Sequence, residues 1–282
     1  MTSIAVVAHH ERSAARALAD ESIAWCREHG ISTWMPVADA DALGLGDCAS
    51  VRPVGEADLV LSLGGDGTML RSVRLLEGAP VPVLGVNLGS LGYLTQVEPD
   101  RLTDALERFV AGSEAGAWTL DQRMMLDVAV NGALVGRALN EAVVEKAESG
   151  HTVRLLARID GEPFTYYAAD GLIVATPTGS TAYSLSARGP VVSPRHRAML
   201  LTPVSPHMLF DRTLVLDPTE TIEIEVSGHR VAALVLDGQP SSPLDDGDVV
   251  RCTPSESTAN FVRFGAEHYH QILKAKFGLA DR

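Results

Sequence analysis

The sequence predicts two domains: an α/β N-terminal domain built on a parallel sheet, followed by a β-rich C-terminal domain. Three observations carry this. Up to about residue 118, apolar runs of strand length alternate with helix-length segments, which is the grammar of βαβ units. Beyond Trp118 strand-like runs crowd together, and Asn131-Gly132 and Asp160-Gly161 each sit between two of them as hairpin turns. The 282 residues are also long for one compact core and comfortable for two.

In chain order, Ile4–Ala8 reads as a short buried strand, and Arg12–His29 has helix-forming composition that Gly30 terminates. Asp58–Leu63 reads as a second buried strand and Met69–Leu76 as a helix entered through a glycine turn. Pro82–Val86 is a further buried strand and Pro99–Val110 a further helix. The grammar then changes. Leu126–Val130 with Ala133–Ala138, and Val153–Ile159 with Pro163–Tyr167, form the two hairpins. Leu172–Ala175, Thr213–Leu216, Thr221–Val226, Val231–Leu236 and Asp248–Thr253 are the remaining strand-like runs. The tail Ala266–Phe277 is helical again, with Tyr269, Ile272, Leu273 and Phe277 on one face. The expected domains are therefore 1–118 and 119–262, with 263–282 as a C-terminal helix packing back on the first. No repeat, low-complexity segment or long linker separates them.

Composition narrows the class. Apolar residues make up 46% and charged residues 21%, a globular balance. No apolar run approaches the roughly 20 residues that span a bilayer, and the N-terminus lacks the basic segment and cleavage site of a signal peptide. A cytoplasmic protein with no membrane partner is expected. Cys26, Cys48 and Cys252 are odd in number and lack metal-ligand spacing, which reads as free thiols. A net charge of −13 argues against a nucleic-acid partner. It also means that a phosphorylated ligand must be held locally, by backbone N–H groups, a few cationic side chains and a divalent cation.

The main motif is Gly64-Gly65-Asp66-Gly67-Thr68, between a buried strand and a helix start. Glycines bring bare backbone near a ligand, and the N–H groups opening a helix suit phosphate. Thr68 is placed to cap that helix, with Arg71 and Arg74 on its next turns. It is neither a Walker loop nor G-x-G-x-x-G. Its distinguishing residue is the acid: an aspartate there repels phosphate unless it binds Mg²⁺ or accepts a proton from an attacking hydroxyl. The bland alternative is a tight turn with Asp66 as N-cap.

Four further segments accompany it: Asn87-Leu88-Gly89-Ser90-Leu91-Gly92-Tyr93-Leu94-Thr95, Asn140-Glu141, the run Asp170–Ser186 with its Thr176-Pro177-Thr178-Gly179-Ser180-Thr181-Ala182-Tyr183 centre, and Asp237-Gly238-Gln239. An Asn amide matches the donor–acceptor edge of adenine. A carboxylate such as that of Glu141 suits a ribose diol, and Tyr183 offers a face for a base or ribose.

The glycine–aspartate turn resembles the signature shared by NAD kinases, diacylglycerol-type lipid kinases and phosphofructokinases. The whole set, from about Leu59 to Gln239, is similar to that of bacterial NAD kinases. The resemblance implies an NAD kinase/diacylglycerol kinase-like fold. It implies a phosphotransferase that moves the terminal phosphoryl of ATP or polyphosphate, with Mg²⁺, onto the adenosine 2′-hydroxyl of NAD to give NADP. On that basis Asp66 is the general base, Asp66 and Gly67 face the reacting ribose of NAD, and Arg71 is a further NAD-binding residue. Asn140 and Glu141 take the adenosine half and Asp170 the nicotinamide half. His151, Thr181, Ala182, Tyr183, Ser184, Leu185 and Ser186 line the dinucleotide site, with Gln239 at its edge. Gly64, Gly65, Gly67 and Thr68 hold the phosphoryl donor, no residue is assigned as a metal ligand, and a homodimer or homotetramer is implied. The chain departs from the family pattern at Ala168, where a basic or bulky residue is usual, and at Arg188, where glycine is usual. It also departs at His9-His10-Glu11-Arg12, where an asparagine–proline pair is more familiar and where His9 and His10 read as a solvated loop. The alternatives are a lipid kinase, which leaves Asp170–Ser186 unexplained, and a non-catalytic NAD(P)-binding sensor, which turnover would distinguish.

Overall fold

The computed structural model describes residues 3–89, 92–148, 150–265 and 269–279. The chain divides into two compact units, Met1–Gln122 together with Ala259–Arg282, and Arg123–Thr258.

The first unit is a parallel sheet with helices. Its elements are β1 (Ser3–Ala8), α1 (Ser13–Glu28), β2 (Ser32–Pro36), α2 (Val37–Leu43), β3 (Ala49–Ser50), β4 (Leu59–Gly64), α3 (Asp66–Leu75), β5 (Pro82–Asn87) and α4 (Leu102–Ala111). The strands run β5-β4-β1-β2-β3, all parallel. Every residue of β1 and of β4 is buried, as expected of strands covered on both faces. The core around them draws Ala15, Leu18, Ala19, Ile23 and Cys26 from one face of α1 and Leu102, Ala105, Leu106 and Phe109 from α4. Gly30 ends the α1 region in a left-handed conformation (φ 67°), which costs glycine nothing. From the central β1 the chain moves outward through β2 and β3, then returns to β4 on the other side. The order therefore reverses between β1 and β4, and in such sheets ligands bind beyond the carboxyl ends of the strands at that point.

Two expectations need correction here. α3 starts at Asp66, three residues before the Met69 start read from the apolar pattern, because its first turn is polar and leaves no hydrophobic period. Its N-cap is Gly65 without a side-chain bond, and Thr68 lies buried inside the first turn instead of capping it. The segment β2–α2–β3 was not anticipated; strands of five and two residues around a seven-residue helix are too short to display a period.

The second unit is a sandwich of antiparallel strands, of which the start of the first strand and the end of the last belong to the first unit. These strands are β6 (Thr119–Val130), β7 (Ala133–Ala138), β8 (Glu141–Lys146), β9 (Val153–Ile159), β10 (Glu162–Ala169), β11 (Gly171–Ala175), β12 (Met199–Val204), β13 (Leu214–Leu216), β14 (Ile222–Val226), β15 (Ala232–Leu236), β16 (Gln239–Leu244) and β17 (Val249–Arg263). In the first unit Asn260 and Phe261 of β17 pair in parallel with β5. One layer has the order β10-β9-β14-β17, with β6 pairing both β17 and β7; the other runs β13-β12-β11-β8-β15-β16. Leu126, Leu155, Tyr167 and Ile224 from the first layer meet Leu172, Leu201 and Leu234 from the second in one core. Both hairpins turn as read: Asn131 and Gly132 have φ of 50° and 84°, Asp160 and Gly161 of 51° and 80°. Positive φ at both central residues is what a tight right-twisted hairpin requires. β17 is far longer than the Asp248–Thr253 read for it, since its later residues are polar and break the alternation. It extends to Arg263, so the C-terminal helix does not begin there; within the described residues that helix is Tyr269–Lys276, and residues 266–268 of the expected helix lie outside them.

Candidate active site

In the first unit the carboxyl ends of β1, β4 and β5 surround a cleft of about 560 Å³. It is lined by residues 8–12 after β1, by Gly65, Asp66, Gly67 and Thr68 after β4, by Gly89 and Gly92 after β5, and by Arg71 and Lys276. This is the crevice that the reversal of strand order predicts.

Asp66 opens α3, but its carboxylate points to the second glycine loop. The backbone N–H groups of Tyr93 and Leu94 donate to Oδ2 and Oδ1, both at 2.9 Å. The acid is thus aimed by two bonds from residues 27 and 28 positions on, and it does not cap its own helix. Gly92 makes that approach possible, since a Cβ there would lie 2.5 Å from Asp66 Oδ1. Ser90 and Leu91 of the same loop lie outside the described residues.

The glycines of the turn divide by role. A Cβ on Gly65 or Gly67 would meet nothing, so both present open backbone to the cleft. Gly64 is different: a Cβ there would overlap the Thr68 side chain, and its carbonyl accepts the Leu88 N–H at 2.8 Å. Gly64 is a packing residue and does not line the cleft.

Arg71 borders the cleft but is committed elsewhere. Its guanidinium donates to both oxygens of Asp39, at 2.7 and 2.6 Å, and to the Ala8 carbonyl at 2.7 Å. Asp39 is fully buried and also accepts the Ala8 N–H, and His10 Nε2 lies 2.9 Å from it. Burial pushes the Asp39 carboxyl upward, but the bonds from Arg71, His10 and Ala8 outweigh that and hold it below the ordinary carboxylate range. His10 is therefore part of a bracing cluster and not simply a solvated loop residue. Arg12 also has a partner, donating to the Leu88 carbonyl.

In the second unit the dispersed motifs converge on Asn140-Glu141. Asp237 accepts the N–H groups of Leu139, Asn140 and Glu141 at 2.8, 2.7 and 3.1 Å. It does so from a third tight turn, with Asp237 and Gly238 at φ 47° and 75°. From the other side Thr176 donates its hydroxyl to the Leu139 carbonyl at 2.6 Å, and its N–H bonds the Asn140 carbonyl at 2.8 Å. Gly179 is so close to Asn140 that a Cβ would run into that residue's backbone. Asn140 is thus held by two segments far along the chain.

Glu141 is only 6% exposed. Burial, then the nearby Asp237 charge, pushes its carboxyl up to about 8, while the Tyr183 N–H works against the shift. Its Oε2 is buried with no hydrogen-bond partner among the described residues. The helical turn Tyr183–Ser186 leaves the Tyr183 ring partly exposed, whereas the Ser184 hydroxyl is buried and bonded to Thr202 at 2.9 Å. Ser184 therefore anchors the turn, and its hydroxyl is not available at the surface. Thr181 bonds back to the Thr178 carbonyl at 3.3 Å; Ala182 and Leu185 are half-buried, and Ser186 is exposed. Asp170 pairs with Lys146 from β8, a cation the sequence reading did not single out. Lys146 and His151 line a smaller cleft of about 330 Å³ with His229 and Arg230. Gln239 is exposed at the start of β16.

Open backbone at a sheet reversal and a carboxylate aimed by two N–H groups in the first unit suit phosphoryl transfer, and in the second unit the braced Asn–Glu pair offers polar groups to a ligand. Comparison with known proteins specifies the family. The ATP-NAD kinase N-terminal domain model matches residues 50–114 and the ATP-NAD kinase C-terminal domain model residues 139–264. The NAD kinase of Heliobacterium modesticaldum is 37% identical over 98% of each chain, and that of Moorella thermoacetica is 40% identical over 98% of this chain and 89% of its own. Among solved structures, yeast NADH kinase complexed with NADH superposes with a TM-score of 0.87 at 26% identity, covering 100% of this chain and 89% of that one. An NAD kinase from Archaeoglobus fulgidus in complex with ATP gives 0.76 at 26% identity, covering 98% of each. The chain belongs to the NAD kinase family. It is accordingly a kinase, and the lipid-kinase alternative is not favoured.

Proposed function

We propose that this chain transfers the terminal phosphoryl group of ATP, or of polyphosphate, to the adenosine 2′-hydroxyl of NAD. The observation that carries it is the Asp66 carboxylate, oriented by Tyr93 and Leu94 at the mouth of the glycine turn. The 2′-oxygen forms the new O–P bond as the bond from phosphorus to the bridging oxygen breaks. ADP, or the shortened polyphosphate, leaves with the electron pair, and the hydroxyl proton passes to an Asp66 oxygen. Carboxylates are weak bases toward alcohols, so positioning contributes more of the rate than basicity.

Gly65 and Gly67 offer the open backbone that donor phosphates need. Asn140, Glu141 and Tyr183 recognise the adenosine half, and Asp170 with Lys146 takes the nicotinamide half. No group of three or more His, Cys, Asp or Glu side chains suited to a metal occurs among the described residues. Asp66 could still contribute one oxygen to Mg²⁺ carried in on the donor phosphates, where the ion would spread their charge.

Incubation with ATP, Mg²⁺ and NAD, with enzymatic detection of NADP, tests the reading. NADP formation is expected; NAD binding without NADP from either ATP or polyphosphate would leave a sensor. No helix among the described residues is long and apolar enough to cross a membrane, and cytoplasmic residence in a homodimer or homotetramer completes the proposal, with light scattering as the check on assembly.

A further inference from the structure

Lys276 is the last residue of the C-terminal helix Tyr269–Lys276, and no sequence motif pointed to it. Its Nζ lies 4.0 Å from Asp66 Oδ2 and 4.3 Å from the centroid of the Tyr93 ring. It also lines the cleft that Gly65 and Gly67 open onto. Of the other two strong cations among the described residues lining that cleft, Arg71 is held bidentately by Asp39 and Arg12 donates to the Leu88 carbonyl. Lys276 is held differently. At 4.0 Å its ammonium is beyond direct hydrogen-bond reach of the carboxylate, so charge and the aromatic face place it without locking it. A compact charge on a flexible stem can re-aim over a few ångströms.

A nucleoside triphosphate or polyphosphate brings several negative charges to a protein whose net charge is −13. Long-range attraction cannot gather it, and backbone N–H groups alone leave most of its charge uncompensated. We propose that Lys276 binds the phosphate chain of the phosphoryl donor in this cleft, with Asp66 and Tyr93 holding its ammonium ready beside the glycine turn. This rests on reading the cleft as the donor site, and it makes the C-terminal helix part of the reaction centre of the first unit.

The test is steady-state kinetics of Lys276→Ala, Lys276→Met and Lys276→Arg, varying ATP at saturating NAD and then the reverse. Methionine keeps an apolar stem over the Tyr93 ring and removes the charge. Both neutral variants should raise KM for ATP about 10- to 100-fold, the effect of losing a charged hydrogen bond. KM for NAD should move less than about twofold, and Lys276→Arg should restore a substantial part of ATP binding. An unchanged KM for ATP, an equal rise in both KM values, or faster turnover in the neutral variants would overturn the proposal. Wild-type protein that makes no NADP would instead sink the functional reading, so the two failures are distinguishable.

Discussion

Glu141 has a buried carboxyl pushed up to about 8, an oxygen without a hydrogen-bond partner among the described residues, and Asp237 close by. If ribose hydroxyls donate to it, NAD favours its anion, so binding must release a proton. NAD affinity should then rise with pH from about 6.5 to about 8 and level off above. The slope reaches at most tenfold per pH unit. Glu141→Gln, which cannot ionise, should flatten the profile. Calorimetry across this range is the check, and a flat wild-type profile would remove Glu141 from the ligand contact. The same shift has a stability consequence. A carboxyl whose folded value lies above its unfolded value binds more protons when folded, so its contribution declines as pH rises from about 4.5 to about 8. Asp66 calls for a simpler experiment: Asp66→Asn keeps the size and one acceptor oxygen but cannot accept the hydroxyl proton. It should lower kcat by about 10²- to 10⁴-fold with the fold intact; near-normal turnover would exclude Asp66 as the base.

At the scale of elements, the motifs act through close backbone approaches. Gly179→Ala would push a Cβ into the Asn140 backbone, which cannot swing aside as a side chain can. The expected cost is about 1–3 kcal/mol, with a raised KM for NAD because Asn140 shifts. Gly46→Ala, where a Cβ meets nothing and φ is not positive, is the matched control and should be near neutral. Equal urea midpoints for the two variants would refute the close-approach argument. Elements with a strong local signal were legible: the apolar β1, β4 and β5, the amphipathic α1 and α4, and the two hairpins with Asn-Gly and Asp-Gly turns. Asp237-Gly238 carries the same hairpin signal, and as a turn it pairs the strand legible at Val231–Leu236, β15, with β16, which has no apolar alternation of its own. By contrast β2, α2 and β3 are too short for a period, and the polar half of β17 is a strand only because its neighbours pair with it.

For the whole molecule, each unit has its own core: Leu61, Leu84 and Leu106 lie in one, Leu155, Leu172 and Leu201 in the other. The three tryptophans, Trp25, Trp34 and Trp118, all belong to the first unit. Leu155→Ala should therefore destabilise the second unit by about 2–5 kcal/mol. In urea, the far-ultraviolet dichroism should shift to lower midpoint more than tryptophan fluorescence does. Coincident shifts would mean that both cores melt as one. Sequence alone determined the fold class, the family and the motifs that name it, because glycine turns, hairpin dipeptides and apolar runs act through local backbone preferences. Tertiary structure alone decided how the residues of those motifs are held. It aimed Asp66 at Tyr93 and Leu94, cradled Asn140-Glu141 on Asp237, committed Arg71 to the buried Asp39 and brought Lys276 to the glycine turn. These are contacts between residues far apart in the chain, and their geometry and burial exist only once the chain is packed.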